Sequence, residues 1–194
     1  MKRIAIFASG SGTNFEHLVG ACRSGDIPAE AVLLVCDRPG ARVNERADRL
    51  GVPRLTLSPR DFASKAAYEE AIVERLRAER IDWICLAGYM RIVTEVLLEP
   101  YAGRIINIHP SLLPAFKGAH AIRDAFDYGV KVFGVTVHRV DASLDGGPIV
   151  AQRAFPYEGS DFDELERRVH ATEYPLYAEA MRRLIAEEEA CKHE

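Results

Sequence analysis

The sequence has no apolar run near the ~20 residues that a membrane-spanning helix needs. Five apolar residues follow Met1-Lys2-Arg3 before Ser9-Gly10, which predicts a short buried strand and not a signal peptide. A long basic run is also absent and the net charge is −4, so we expect no nucleic-acid partner. These absences disfavour both a membrane protein and a nucleic-acid-binding protein.

Cysteine occurs four times, at Cys22, Cys36, Cys85 and Cys191, and never as a Cys-x-x-Cys pair. Cys36 and Cys85 lie in apolar runs, which is typical of buried free thiols. Free thiols indicate a reducing compartment, so we expect a cytoplasmic location.

The 194 residues are 48% hydrophobic and 28% charged, an ordinary composition for one well-packed globular domain. Apolar patterning predicts strands over residues 2–8, 31–36, 52–57, 81–87, 104–109, 133–139 and 149–155. It predicts helices over residues 15–23, 43–50, 65–79, 94–98, 119–127 and 163–189. Pro175 should bend or break the last of these helices.

The predicted strands and helices alternate, and the early strands are apolar throughout. This combination is typical of a parallel sheet covered by helices on both faces. We therefore expect a single-domain α/β fold over residues 1–194, a Rossmann-like three-layer sandwich with a mostly parallel central sheet of about seven strands. The loops that leave the C-terminal strand ends should build the functional site.

Two segments carry the side chains best suited to catalysis. The first is Ile106-Asn107-Ile108-His109-Pro110-Ser111-Leu112-Leu113-Pro114, and the second is Leu144-Asp145-Gly146-Gly147-Pro148. Positions two apart share a strand face, so Asn107 and His109 should point the same way. An amide and an imidazolium can both donate hydrogen bonds to a developing oxyanion, and a nearby carboxylate would keep the imidazole charged and oriented. A lone Asn-x-His would be structural, but the two segments together favour acyl-type transfer without a covalent nucleophile.

A glycine-rich turn, Gly10-Ser11-Gly12-Thr13-Asn14, lies between the first predicted strand and helix. Glycines allow close backbone approach to an anion, and the helix N-terminus supplies oriented N–H groups. Thr13 or Asn14 is also a suitable N-cap. The alternatives are a simple connection and a dinucleotide site, for which Asp37 is well placed. Phe15 stands where the dinucleotide fingerprint needs a third glycine, so a single phosphate is favoured.

Four segments together give the chain a resemblance to a known family. They are Ser9-Gly10-Ser11-Gly12-Thr13-Asn14, Ala87-Gly88-Tyr89-Met90-Arg91-Ile92, Asn107-Ile108-His109-Pro110-Ser111-Leu112-Leu113-Pro114 and Leu144-Asp145-Gly146-Gly147-Pro148. In their order and spacing, from residue 2 to about residue 184, the sequence resembles the phosphoribosylglycinamide formyltransferases, folate-dependent enzymes of purine synthesis. The resemblance also implies the formyltransferase fold.

The resemblance implies that the formyl group of 10-formyltetrahydrofolate moves to the amino group of 5'-phosphoribosylglycinamide (GAR), without a metal. This gives formyl-GAR in de novo purine biosynthesis. By the same resemblance, Asn107 and His109 polarise the formyl oxygen and stabilise the tetrahedral intermediate, and His109 donates the proton. Asp145 would hold His109 charged and help the amine to lose its proton through water. The resemblance further suggests that Pro114 is cis.

Binding residues follow from the resemblance position by position. The ribonucleotide would contact Gly12, Thr13, Asn14, His170 and Glu173. The folate would contact Lys65, Met90, Arg91, Ile92, Val93, Asn107, Asp141, Ala142, Ser143, Leu144 and Asp145. The N-terminal part of the domain would thus bind the ribonucleotide, and the C-terminal part would bind folate and carry out catalysis. Lys65 departs from an arginine that is common in relatives, and Lys117 from a proline.

Several histidines and several functions stay open at this point. His120 and His138 either line the site or are structural, whereas His17 and His193 are expected at the surface. Other functions are formyl transfer to an aminoacyl-tRNA or amino sugar nucleotide, formyl-folate hydrolysis, nicotinamide-dependent oxidoreduction and non-catalytic nucleotide binding. The expected partners are two small molecules, with no membrane and no nucleic acid, and the sequence fits a monomer or a homodimer.

Overall fold

A computed structural model describes residues 1–191, which form seven β-strands and six α-helices. The strands are β1 (Lys2–Ala8), β2 (Ala29–Cys36), β3 (Arg54–Thr56), β4 (Trp83–Leu86), β5 (Ile105–His109), β6 (Val132–Arg139) and β7 (Ile149–Pro156). The helices are α1 (Thr13–Ser24), α2 (Arg42–Leu50), α3 (Lys65–Ala78), α4 (Glu95–Leu98), α5 (Ala121–Tyr128) and α6 (Phe162–Ala190). Every predicted strand and helix is confirmed, with small shifts at the ends.

The strands are ordered β3-β2-β1-β4-β5-β6-β7 in a seven-stranded sheet. β1 pairs in parallel with β2 and β4, and β2 pairs in parallel with β3, whereas β6 and β7 are antiparallel. The apolar runs of β1 and β2 are buried, as strands covered on both faces must be. β7 is mostly exposed or half-buried, which fits a strand at the end of the sheet order. The predicted α/β class with a mostly parallel sheet is confirmed.

The chain groups into two compact units, residues 1–106 and the part that begins at Asn107. The first unit holds β1 to β4 and α1 to α4, with Phe7, Phe15 and Ile72 in its core. The second unit holds the end of β5 and all later elements, and buries Tyr177 and Met181. The candidate residues for catalysis all belong to the second unit.

Two details of the helices differ from the sequence-based predictions. The N-cap of α1 is Gly12, which makes no side-chain cap, so the prediction of Thr13 or Asn14 is wrong. α6 continues through Pro175 as a single helix, which excludes a break there, while a bend at Pro175 stays a prediction. A proline in a helix interior costs about 3 kcal/mol. The ten buried residues that α6 contributes to the core offset this cost.

No helix in residues 1–191 is both long enough and apolar enough to cross a bilayer. All four cysteines carry free thiols, and Cys36 and Cys85 are buried as predicted. His17 is exposed as predicted, whereas His193 lies outside the described residues.

Candidate active site

The end of β5 carries the predicted amide and imidazole in the second unit. Ile105, Ile106 and Ile108 are buried and fix the strand in the core, while Asn107 is half-buried. His109 is 4% exposed. The two polar side chains alternate with buried isoleucines, as the pattern of the strand predicts.

Asp145 approaches His109 from the loop between β6 and β7. Its Oδ2 atom lies 3.7 Å from Nδ1 of His109 and accepts a hydrogen bond of 2.9 Å from the backbone N–H of Gly118. The backbone of Asp145 has a φ of 45°, a left-handed conformation that aspartate tolerates better than most residues. The structure therefore brings together the imidazole and the carboxylate that the sequence placed in separate segments.

The segment Phe116-Lys117-Gly118 contacts both members of this pair. Nε2 of His109 donates to the carbonyl oxygen of Phe116 at 2.8 Å. Two residues later, the backbone N–H of Gly118 donates to Asp145. With that tautomer fixed, Nδ1 is the nitrogen that faces the carboxylate. A proton gained at Nδ1 would therefore be stabilised by Asp145.

His138, which the sequence left unassigned, belongs to the same cluster. It lies at the end of β6 and is 2% exposed. Its Nδ1 donates to the carbonyl oxygen of Arg139 at 2.9 Å, which leaves Nε2 to accept a hydrogen bond of 3.2 Å from Nδ2 of Asn107. Burial lowers the pKa of His138, so the ring stays neutral and keeps this acceptor. Oδ1 of Asp145 lies 3.9 Å from the same Nε2.

The alternation on β6 was the signal that could have identified His138. Thr136 and His138 are two positions apart and both buried, and they alternate with the buried Val135 and Val137. Buried polar side chains at alternate strand positions must find partners. Thr136 Oγ1 donates to the carbonyl oxygen of Ser111 at 2.7 Å, and His138 bonds to Asn107.

The Ser111–Ala115 segment is fixed by hydrogen bonds of its own. Ser111 Oγ donates to the carbonyl oxygen of Ala115 at 2.6 Å, and the N–H of Leu113 donates to Thr136 Oγ1 at 3.1 Å. The Leu113-Pro114 peptide bond is cis, as the resemblance suggested. These contacts set the path of the chain into Phe116, whose carbonyl group binds His109.

The loop that precedes Asp145 forms a compact turn. Asp141 Oδ1 accepts hydrogen bonds from the backbone N–H and the hydroxyl of Ser143, and these bonds lower the pKa of Asp141. Ala142 and Leu144 are exposed, and a Cβ atom at Gly147 would lie 2.0 Å from the carbonyl oxygen of Arg139. The loop thus needs glycine at 147 and presents residues 141–144 to solvent.

The second unit also contains the acid and imidazole predicted for the ribose. On α6, Nδ1 of His170 lies 2.8 Å from Oε2 of Glu173, one helical turn away. This hydrogen bond raises the pKa of His170. Glu173 is 4% exposed and His170 is half-buried. His120, just before α5, is exposed and joins none of these contacts.

In the first unit, the glycine turn leads directly into α1. Gly12 has a φ of 76°, and its carbonyl oxygen accepts from the N–H of Glu16 at 3.0 Å. A Cβ atom on Gly12 would lie 2.4 Å from Cγ2 of Val43, the second residue of α2. Glycine is therefore required here by both conformation and space.

Gly12→Ala should destabilise the first unit. Alanine at positive φ costs about 1–2 kcal/mol and the overlap with Val43 adds about 1–3 kcal/mol, so we expect Tm to fall on the order of 10 °C. Calorimetry measures this. Gly10→Ala is the matched control, because Gly10 has open space and no positive φ, and its Tm should stay close to that of the unmodified chain. Equal Tm values for the two variants would contradict the structural requirement at Gly12.

The remaining folate candidates lie in the first unit. Met90 and Ile92 are 57% and 63% exposed, so Met90 is not a core residue, whereas Val93 is buried. Arg91 bonds through Nε to Asp37 at 2.8 Å. Lys65 is the exposed first residue of α3.

No group of three or more His, Cys, Asp or Glu side chains in residues 1–191 could hold a metal ion.

Comparison with known proteins identifies the class to which this fold belongs. The sequence matches the formyl transferase family over residues 2–181, so the chain belongs to that family. It is 47% identical over 186 residues to phosphoribosylglycinamide formyltransferase of Bacillus subtilis (strain 168), covering 95% of each chain.

Solved structures give the same result. Glycinamide ribonucleotide transformylase 1 from Geobacillus kaustophilus is 54% identical with a TM-score of 0.92, over 95% of this chain and 98% of that one. Phosphoribosylglycinamide formyltransferase from Bacillus halodurans is 47% identical with a TM-score of 0.92, over 96% and 97%. The family resemblance drawn from the four sequence segments is confirmed.

Proposed function

We propose that this enzyme transfers the formyl group of 10-formyltetrahydrofolate to the amino group of GAR, giving formyl-GAR in de novo purine biosynthesis. The observation that carries the proposal is the cluster of Asn107, His109 and Asp145, with a carboxylate 3.7 Å from a buried imidazole. The names of the relatives, phosphoribosylglycinamide formyltransferase and glycinamide ribonucleotide transformylase, support the choice of acceptor.

Asn107 stabilises the negative charge that develops on the formyl oxygen. Its amide has two N–H bonds, and one is given to Nε2 of His138. The second N–H is free to donate to the substrate, and the bond to His138 fixes which way the amide points. A fixed donor in a site with little water stabilises developing charge more than a mobile one does.

His109 and Asp145 manage the protons. The carboxylate of Asp145 favours a proton on Nδ1 of His109, and the imidazolium can then donate from Nε2 to the formyl oxygen. Nε2 now donates to Phe116, so the formyl oxygen must replace or share that carbonyl partner. Asp145 also provides a base, through water, for the proton that the attacking amine loses.

In this proposal, the phosphate and the ribose of the ribonucleotide are assigned to different residues. The amides of α1, preceded by Gly12 with no side-chain cap, suit the phosphate together with Thr13 and Asn14. The buried carboxylate of Glu173, held by His170, suits the ribose hydroxyls.

In this proposal, the folate contacts are assigned to Lys65, to residues 90–93 and to Asn107 with residues 141–145. Met90, Ile92 and Leu144 support this assignment, because each is a large apolar side chain that is more than half exposed. Several further expectations stay predictions. One is a single domain over residues 1–194, in which the N-terminal part binds the ribonucleotide and the C-terminal part binds folate and carries out catalysis. The others are the absence of a metal, a cytoplasmic location and a monomer or homodimer.

The proposal is tested by incubating the purified chain with GAR and 10-formyltetrahydrofolate and identifying formyl-GAR by mass spectrometry. Formate release without GAR would instead indicate a hydrolase, and formylation of aminoacyl-tRNA would indicate another acceptor. NADH binding serves as the control for an oxidoreductase. We expect formyl-GAR as the product. If no formyl-GAR forms although the chain binds both GAR and 10-formyltetrahydrofolate, the proposed function is overturned.

A further inference from the structure

Asp37 is a buried carboxylate that the proposed chemistry does not use. It directly follows β2, and its side chain is 1% exposed. Oδ2 accepts a hydrogen bond of 2.8 Å from Nε of Arg91, whereas Oδ1 is buried without a hydrogen-bond partner among residues 1–191. Burying a charge with one oxygen unsatisfied is costly for folding. A carboxylate kept under these conditions calls for a functional reason.

Neighbouring hydroxyl groups do not relieve this cost. The hydroxyls of Tyr68 and Tyr89 bond to each other at 2.8 Å, and Tyr89 packs edge-on against Phe7. Burial raises the pKa of both tyrosines, so they stay neutral. Arg91 is therefore the group that balances the charge of Asp37.

Arg91 is well placed to present its guanidinium outward. Its side chain is 44% exposed, and within residues 1–191 its Nη atoms make no hydrogen bond. The backbone around it is fixed at both ends: Ser9 Oγ accepts from the N–H of Met90 at 2.8 Å, and Glu69 accepts from the N–H and hydroxyl of Thr94. The direction of the Arg91 side chain is then set by the single bond to Asp37.

We propose that Asp37 is a positioning residue, which holds Arg91 by Nε so that its two Nη groups form a fork for a carboxylate of the folate co-substrate. This rests on the proposed function, which supplies a ligand with carboxylates. A guanidinium is planar, so a bond at Nε fixes the direction of that plane and leaves both Nη groups to bind a carboxylate with two hydrogen bonds. Fixing the fork beforehand reduces the entropy lost when the ligand binds.

The test compares Asp37→Ala, Asp37→Asn, Arg91→Ala and the double variant Asp37→Ala/Arg91→Ala. Asp37→Ala should raise KM for 10-formyltetrahydrofolate about tenfold, the lower limit for a lost hydrogen bond to a charged group, with kcat and KM for GAR unchanged. Asp37→Asn keeps an oxygen for Nε and should restore most of the affinity. In the Arg91→Ala background, Asp37→Ala should have no further effect.

Two controls separate positioning from general damage. Asp48→Ala removes the same kind of contact, Arg54 Nε to Asp48 Oδ1 at 2.8 Å, from an exposed pair in the same unit, and KM should not change. A co-substrate without the glutamate carboxylates should bind equally well to Asp37→Ala and to the unmodified chain.

Calorimetric titration with tetrahydrofolate tests the inference without turnover. Weaker binding of tetrahydrofolate by Asp37→Ala would support the positioning role. Failure of formyl transfer to GAR would overturn the proposed function and would leave this binding result unaffected. Equal binding by the two proteins would overturn the role of Asp37, as would a change in kcat and both KM values together. A persistent effect with the carboxylate-free co-substrate would overturn it too.

Discussion

Asp145→Asn should lower kcat for formyl transfer by about 10²–10⁴-fold, the range measured for loss of acid–base assistance. The dissociation constant for GAR should change little, because no ribonucleotide contact is assigned to Asp145. Asparagine has the same shape and tolerates the φ of 45° at this position, so the loop should keep its structure. The variant therefore removes a charge and little else.

The expected loss of rate follows from the position of Asp145 beside His109. Its carboxylate lies 3.7 Å from Nδ1, so the asparagine variant removes a negative charge that acts directly on the proton donor. Both side chains are largely buried, at 5% and 13% exposure, so water weakens the interaction only in part. The neutral amide of asparagine cannot replace it.

Steady-state kinetics and GAR titration measure the two quantities separately. Asp127→Asn is the matched control, because it removes a charge from an exposed helical pair with Arg123 in the same unit, and kcat should not change. A kcat for Asp145→Asn equal to that of the unmodified chain would remove Asp145 from the mechanism. A large rise in the dissociation constant for GAR would assign it to binding instead.

The sequence predicted the parts of this protein that local patterns determine. Continuous apolar runs predicted the buried strands β1 and β2. The alternation in β5 predicted that Asn107 and His109 point the same way, and both belong to the cluster that includes His138 and Asp145. These features depend on residues within a few positions of one another, so the chain itself encodes them.

Contacts between distant positions could not be predicted in the same way. The bond between Asn107 and His138 joins residues 31 apart, and that between Asp37 and Arg91 joins residues 54 apart. The partner of His109 Nε2 is the backbone carbonyl of Phe116, which no side-chain pattern identifies. The N-cap is Gly12 instead of Thr13 or Asn14, at a position with a φ of 76° where a Cβ atom would lie 2.4 Å from Cγ2 of Val43, 31 residues along the chain.

Asn107→Ala should lower kcat by about 10²–10³-fold, the loss expected for one donor to a developing oxyanion. The amide is held by His138 at 3.2 Å, so its second N–H is aimed before substrate binds. Alanine leaves the site able to bind both substrates but removes this donor. Rapid-quench kinetics measure the chemical step directly, and an unchanged rate would exclude Asn107 as the oxyanion donor.

The effect of His138→Ala, measured with and without Asn107→Ala, distinguishes hydrogen-bond donation by Asn107 from orientation of its amide by His138. If His138 acts by fixing the amide, its removal lowers kcat in the unmodified chain by about tenfold but has no further effect once Asn107 is alanine. Burial lowers the pKa of His138, so acidification through that pKa places a proton on Nε2 and removes the acceptor. Protonation of His138 should therefore lower kcat at low pH. This contribution to the pH dependence should be absent in His138→Ala. Additive effects of the two substitutions would instead show that His138 acts independently of the amide.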